Sequence, residues 1–203
     1  MTKSATRIQK KNHAVILAAG LQVFSQFGFR GSTLDQIAAE AGLSKPNILY
    51  YFSSKDAIYQ ALLKQLLEDW LEPIYNIDPD GNPVDEIVAY ANRKLAMSRD
   101  FPRESRLFAN EVIQGAPRIG DALSGELRDV VGKIASIIEG WVRAERILPV
   151  NGHHLIFSIW SITQHYADFE AQVRAVLPGT DPFDEAQIHL EAMLRRTLSV
   201  PNS

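Results

Sequence analysis

Apolar side chains recur at spacings of three and four along almost the whole chain. Over residues 13–28, Ile16, Ala19, Gly20, Val23, Phe24 and Phe27 fall on one face, which predicts an amphipathic helix closed by Gly28 as a left-handed cap. Ser32 or Thr33 opens a second helix with Leu34, Ile37, Ala38 and Ala41 inside. Gly42-Leu43-Ser44 reads as a tight turn. Ser44 can cap a short third helix, and Pro46 suits its first turn, where a missing N–H costs nothing. Ser53-Ser54 opens a fourth helix from about Lys55 to Ile77, with Ala57, Leu62, Leu66 and Trp70 facing inward. Residues 76–83, NIDPDGNP, form the clearest loop. Helical patterns then cover 84–100, 104–114, 121–147, 152–177 and 183–199, separated by Phe101-Pro102, Gly115-Ala116-Pro117, Pro149 with Asn151-Gly152, and Leu177-Pro178-Gly179. No stretch alternates as a strand does. The prediction is an all-α fold of about nine helices.

Composition narrows the class. The 203 residues are 46% hydrophobic and 22% charged, as in ordinary globular chains, and this excludes fibrous and disordered architectures. The absence of cysteine excludes disulfide scaffolds, cysteine nucleophiles and thiolate metal sites. No apolar run is long enough to span a bilayer and the first residues, MTKSATRIQKKN, lack a signal-peptide core, so a soluble cytoplasmic protein is expected. The net charge of -3 is divided unevenly: residues 1–60 carry seven Lys/Arg against three Asp/Glu, and the remainder fourteen against twenty-one. A basic head on an acidic body suits a protein whose head meets a polyanion.

The segment TLDQIAAEAGLSKPNILYYF, residues 33–52, has the layout of a helix-turn-helix. In that motif one short helix enters the major groove while the helix before it braces the backbone. Gly42 supplies the turn, Ala38, Ala39 and Ala41 the small residues at the crossing, and Lys45, Asn47 and Tyr50 polar side chains on the outward face. An Ala-Gly helical hairpin also occurs in enzymes, carriers and adaptors.

The extended segment AEAGLSKPNILYYFSSKDAIY resembles the DNA-binding domain of TetR-family transcriptional regulators. The matching points are Phe27-Gly28, Thr33, Ile37-Ala38, Ala41-Gly42-Leu43-Ser44, Tyr51-Phe52, and Ser54-Lys55 with Ile58, across residues 10–62. Leu49 departs from the tyrosine common there, so a phosphate contact is lost or passes to Tyr50. The resemblance implies double-stranded operator DNA as partner, with Thr33, Ser44, Lys45, Pro46, Asn47, Tyr50, Tyr51 and Lys55 as the contact set. Thr33 and Lys55 start helices, where free N–H groups favour phosphate; Tyr51 can donate to a phosphate, and Ser44 completes the cap. Lys45 suits guanine, Asn47 adenine, and Pro46 a thymine methyl. Lys3, Arg7, Lys10 and Lys11 form a basic arm that adds unspecific attraction.

The same resemblance divides the chain into residues 1–57, a basic arm with the DNA-binding unit, and 58–203, a helical unit that binds a small effector and forms a homodimer. The stripes Leu155, Ile156, Ile159, Trp160, Thr163 and Tyr166 or Ala167, and Ile188, Ala192, Leu194 and Leu198, are candidates for an intersubunit four-helix bundle. IWSITQHYADF, SRLFANEVIQGAP, LLEDWLEPI and Leu49-Tyr50-Tyr51-Phe52 resemble the RutR-type members of the family, which respond to pyrimidines such as uracil and control their catabolism; Ala109-Asn110 and Val112-Ile113 differ. A pyrimidine needs aromatic walls and an amide matched to its alternating carbonyl and N–H rim. Trp70, Phe108 and Trp160 are candidate walls; Gln164 lies one turn after Trp160, Asp168 one turn further, and Glu111 or Asn110 faces them from another helix. A tryptophan on a helix is more often part of the core. His153, His154, His165 and His189 lack metal-ligand spacing, and no phosphate loop or nucleophile elbow occurs, so neither a metal, a cofactor nor catalysis is expected.

Overall fold

The computed structural model describes residues 7–200, and Lys3 lies outside them. Helix α1 (Arg7–Gly31) begins two turns earlier than the periodicity suggests, and Gly28, at φ 67 and ψ 169, breaks it near its end. Three short units follow: α2 (Leu34–Ala41), α3 (Lys45–Tyr51) and the start of α4 (Lys55–Tyr75). Their boundaries are set by side-chain caps. Thr33, rather than Ser32, opens α2 through a reciprocal capping box with Gln36, Ser44 accepts from Asn47 N, and Ser54 accepts from Ala57 N. Gly42 closes α2 at φ 63 and ψ 29, a left-handed conformation that a side chain would strain.

Helices α5 (Pro83–Asp100) and α6 (Pro102–Ile113) begin at prolines. The expected helix at 121–147 is instead a short turn, α7 (Gly120–Ala122), a π-helical turn (Leu123–Leu127) and α8 (Arg128–Arg143), and it stops four residues early. The segment 152–177 divides into α9 (Gly152–Asp168) and α10 (Glu170–Val176), and α11 (Phe183–Leu198) closes the described chain. With 120–143 counted as one run, the described residues form ten helices and no strand. Helices α8 and α9 cross so closely that a Cβ on Gly152 would lie 2.7 Å from the Ala135 backbone, so glycine is required there. No described helix is long and apolar enough to cross a membrane.

Two apolar clusters hold these helices. One joins Ile16, Phe24, Ile37, Ile48, Ile58, Leu63 and Trp70 with Leu107 and Ile119. The other joins Leu71, Ile74, Ile87, Ala91, Ile134, Ile138, Ile156, Ile159, Leu190 and Leu198. Helix α4 belongs to both: Leu66 and Trp70 face the first cluster, Leu67 and Leu71 the second. Phe108 and Leu123 pack against both, and this seam holds the cavity described below.

Candidate functional site

Ile48 on α3 and Ile37 on α2 are fully buried, which fixes the opposite face of α3 outward. Lys45, Pro46 and Tyr50 are exposed there and Asn47 is half-buried. Lys45 Nζ reaches Asp35 at 2.9 Å, but both partners are solvated, so the pair is worth less than about 1 kcal/mol and leaves the lysine free to swing. Tyr50 Oη accepts from Gln9 Nε2 at 3.4 Å and Tyr51 Oη from Asn12 Nδ2 at 2.9 Å, so the first turns of α1 brace α3. Arg7, Lys10 and Lys11 of the expected basic arm are exposed on the first turns of α1.

Two residues expected to favour phosphate are occupied in the chain itself. The Thr33 hydroxyl accepts from Gln36 N and donates to Gln36 Oε1 at 3.0 Å. Lys55 begins α4, yet its ammonium turns inward: Nζ donates to the carbonyls of Phe29 at 2.7 Å and Ser32 at 2.6 Å and lies 4.4 Å from the Phe29 ring centre. It holds the α1–α2 junction.

A cavity of about 310 Å³ lies between α4, α5, α6, the π-turn and α9. Its lining brings together Trp70, Phe108, Trp160, Gln164 and Asp168, five of the six residues expected from the sequence. The sixth, Glu111, is turned away. It is 2% exposed, and its carboxylate accepts from Arg118 N at 2.8 Å and Arg118 Nη1 at 3.2 Å. Trp160 is fixed by donating Nε1 to Tyr90 Oη at 2.6 Å, and Ser105 Oγ donates to Asp168 Oδ1 at 2.6 Å. The Gln164 amide has no hydrogen-bond partner among the described residues. Desolvation pushes the Asp168 carboxyl above its ordinary value, against the hydrogen bond from Ser105 and the charges of Arg106, His165 and Lys94.

Lys94 completes this lining and was missed. It is 2% exposed, its Nζ lies 4.0 Å from the Trp70 ring centre, and burial pulls the ammonium down to about 7 against the attraction of Asp168. A signal existed: Val84, Ile87, Ala91, Leu95 and Ser98 trace an inward stripe, and Lys94 stands on it. Arg118, at the far side of α6, was also missed and had no such signal.

The stripes expected to form an intersubunit bundle are used inside the chain. Leu155, Ile156, Ile159, Thr163 and Ala167 are buried, as are Leu194 and Leu198. What remains outward on α9 and α11 includes Phe157, at 46% exposure, and Ile188, at 71%.

Comparison with known proteins agrees with this architecture. Residues 16–62 match the family model for bacterial regulatory proteins of the tetR family, and residues 63–200 match the YcdC-like protein C-terminal region. The HTH-type transcriptional regulator RutR of Escherichia coli (strain K12) is 46% identical over 187 residues, covering 89% of this chain and 88% of the relative. A transcriptional regulator from Streptomyces coelicolor shares the fold at TM-score 0.77, with 21% identity over 94% of this chain and 99% of that one. A bacterial regulatory protein in the tetR family from Rhodococcus RHA1 does so at 0.75, with 20% identity over 95% and 99%. The chain belongs to the TetR family of ligand-responsive transcriptional regulators and is of the RutR type.

Proposed function

We propose that the protein is a homodimeric repressor whose effector is a pyrimidine such as uracil, bound in the cavity lined by Trp70, Phe108, Trp160, Gln164 and Asp168. The observation that carries this reading is Gln164, a half-buried amide with no partner of its own beside two indoles and a phenyl ring. An amide offers one acceptor and two donors, the complement of a pyrimidine rim, and the aromatic walls suit a flat ring. The RutR-type sequence supports the same assignment. On this reading residues 1–57 form the DNA-binding unit and 58–203 the effector and dimer unit, and the protein works on chromosomal DNA in the cytoplasm.

In the dimer, two copies of α3 enter successive major grooves of a partly palindromic operator, with half-sites roughly 34–36 Å apart. Lys45, Asn47 and Tyr50 read bases or phosphates; Thr33, Ser44, Pro46, Tyr51 and Lys55 shape and hold that surface. Pyrimidine binding moves α4 and α6 against each other and so changes the spacing of the two α3 helices, with catabolic genes for pyrimidines as the regulated set. Titration calorimetry tests the effector assignment. Uracil should bind the wild type, and Gln164→Leu should weaken it by about 1–3 kcal/mol, because the ring's rim is left unpaired. Failure of uracil and thymine to bind at millimolar concentration, or unchanged binding by Gln164→Leu, would contradict it.

A further inference from the structure

The proposed cavity contains a lysine amine whose charged form its surroundings do not satisfy. Lys94 carries three donors, yet among the described residues its Nζ makes a single long hydrogen bond, 3.5 Å to the carbonyl of Trp70. No carboxylate lies within ion-pair distance of it; Asp168 acts on it through space and spends one oxygen on Ser105. A buried, half-coordinated ammonium is costly for a chain to keep, since any apolar side chain of similar length would pack there more favourably. The face of Trp70 offsets part of that cost through its quadrupole but supplies no acceptor. Lys94 belongs to the same cavity lining as the unpaired amide of Gln164 and the half-used carboxylate of Asp168.

We propose that Lys94 is the specificity-determining residue of this cavity: its ammonium takes a carbonyl oxygen of the effector, while Asp168 accepts a ring N–H and Gln164 pairs with the rest of the rim. The inference rests on the pyrimidine reading above and deepens it by stating which chemistry is read and by what. An exocyclic carbonyl beside a ring N–H meets one cation, one carboxylate and one amide, whereas a ring bearing an amino group in place of that carbonyl puts a donor against the protonated amine. The cavity therefore rejects aminopyrimidines by leaving both donors unpaired, and discriminates most strongly where the lost acceptor faced a charge.

Discrimination is measured with matched rings. Calorimetry on the full-length wild type and on Lys94→Met compares uracil, the two monocarbonyl pyrimidinones, cytosine, and pyrimidine itself, which lacks both carbonyls. Methionine preserves the unbranched length without the charge, and thermal unfolding of each variant confirms that it folds. The expected result is that Lys94→Met loses roughly ten- to hundred-fold in affinity for uracil and for one of the two pyrimidinones, with the other pyrimidinone and pyrimidine little changed. Equal uracil binding by wild type and Lys94→Met overturns the role of Lys94 and leaves the effector assignment standing. If uracil fails with the wild type while planar carboxylates that are not pyrimidines, such as benzoate or nicotinate, bind and lose that binding in Lys94→Met, the effector assignment falls and the oxygen-reading cation stands. If none of these rings binds the wild type, both fall.

Discussion

Arg118 Nε donates to Asp56 Oδ1 across 2.8 Å, and the same guanidinium lies 3.7 Å from the Phe29 ring centre. Its other arm holds Glu111, on the helix that also brings Phe108 to the cavity. Asp56 adjoins Lys55, which holds the carbonyls of Phe29 and Ser32 where α1 hands over to α2. One side chain thus ties the cavity's α6 wall to the junction that orients the helix-turn-helix. A tie of this kind lets a ligand act at a distance only if it favours one arrangement of that junction over another.

Removing the tie should separate sensing from reading. Arg118→Ala leaves Glu111 buried with only a backbone donor, at a cost of about 2 kcal/mol in urea denaturation. Adding Glu111→Gln should recover part of that loss, because no unpaired charge remains. Both variants should still bind uracil and operator but show a weaker effect of one on the other. A full uracil response in Arg118→Ala would exclude this route.

The DNA face should split into two classes by competition binding. Asn47→Ala should relax preference at one base position per half-site, costing about 1–3 kcal/mol on the operator and little on random duplex. Lys55→Met should lower thermal stability and weaken binding to all duplexes alike, because its ammonium anchors two carbonyls inside the chain. Equal losses for Asn47→Ala on operator and random DNA would remove it from base reading.

Lys94 also sets a pH dependence of stability. Burial lowers its ammonium to about 7, whereas an unfolded lysine keeps its proton to about pH 10.4. Between those values the unfolded chain holds more protons, so stability rises with pH, by at most about 1.4 kcal/mol per unit from this group. Below about pH 7 both states are protonated and the full cost of burial is present. Asp168, whose carboxyl is pushed up, acts in the acid range: it favours the folded state at low pH, and that contribution is lost as pH rises through its folded value. Denaturation of the wild type and Lys94→Met from about pH 7 to pH 9.5 should show the rise in the first and a flatter profile in the second. Parallel profiles would place the titration elsewhere.

Much of this was legible in the chain. The caps Thr33, Ser44 and Ser54 and the left-handed Gly42 are local chemistry, and local chemistry is written in neighbouring residues. The cavity's aromatic walls and Gln164 followed from helical periodicity together with family resemblance. Periodicity could not separate a stripe packed within the chain from one packed on a partner, so the α9 stripe was read outward when it faces α5 and α8. It also gave the face of Glu111 without its partner: Arg118 lies beyond a turn in which Gly115 and Ala116 take positive φ, 89 and 53, a path that spacing does not encode. Lys55 carried a local signal for a helix start, but its inward ammonium depends on carbonyls twenty-three and twenty-six residues earlier.

The proposed dimer would use the outward residues of α9 and α11. Sedimentation should give about twice the 22.7 kDa chain mass, and Phe157→Glu with Ile188→Glu should give the monomer. A monomeric wild type at micromolar concentration, with and without DNA, would refute the dimer.

On the proposed function, one cavity and one DNA face share an equilibrium. Fluorescence anisotropy of a labelled duplex, selected by the protein from random DNA, measures it directly when uracil is titrated in, with calorimetry of uracil binding repeated on the protein–DNA complex. Saturating uracil should weaken duplex binding and the duplex should weaken uracil binding by the same factor, with both effects lost in Gln164→Leu at the same uracil concentration. Duplex affinity that is unchanged at saturating uracil would contradict it.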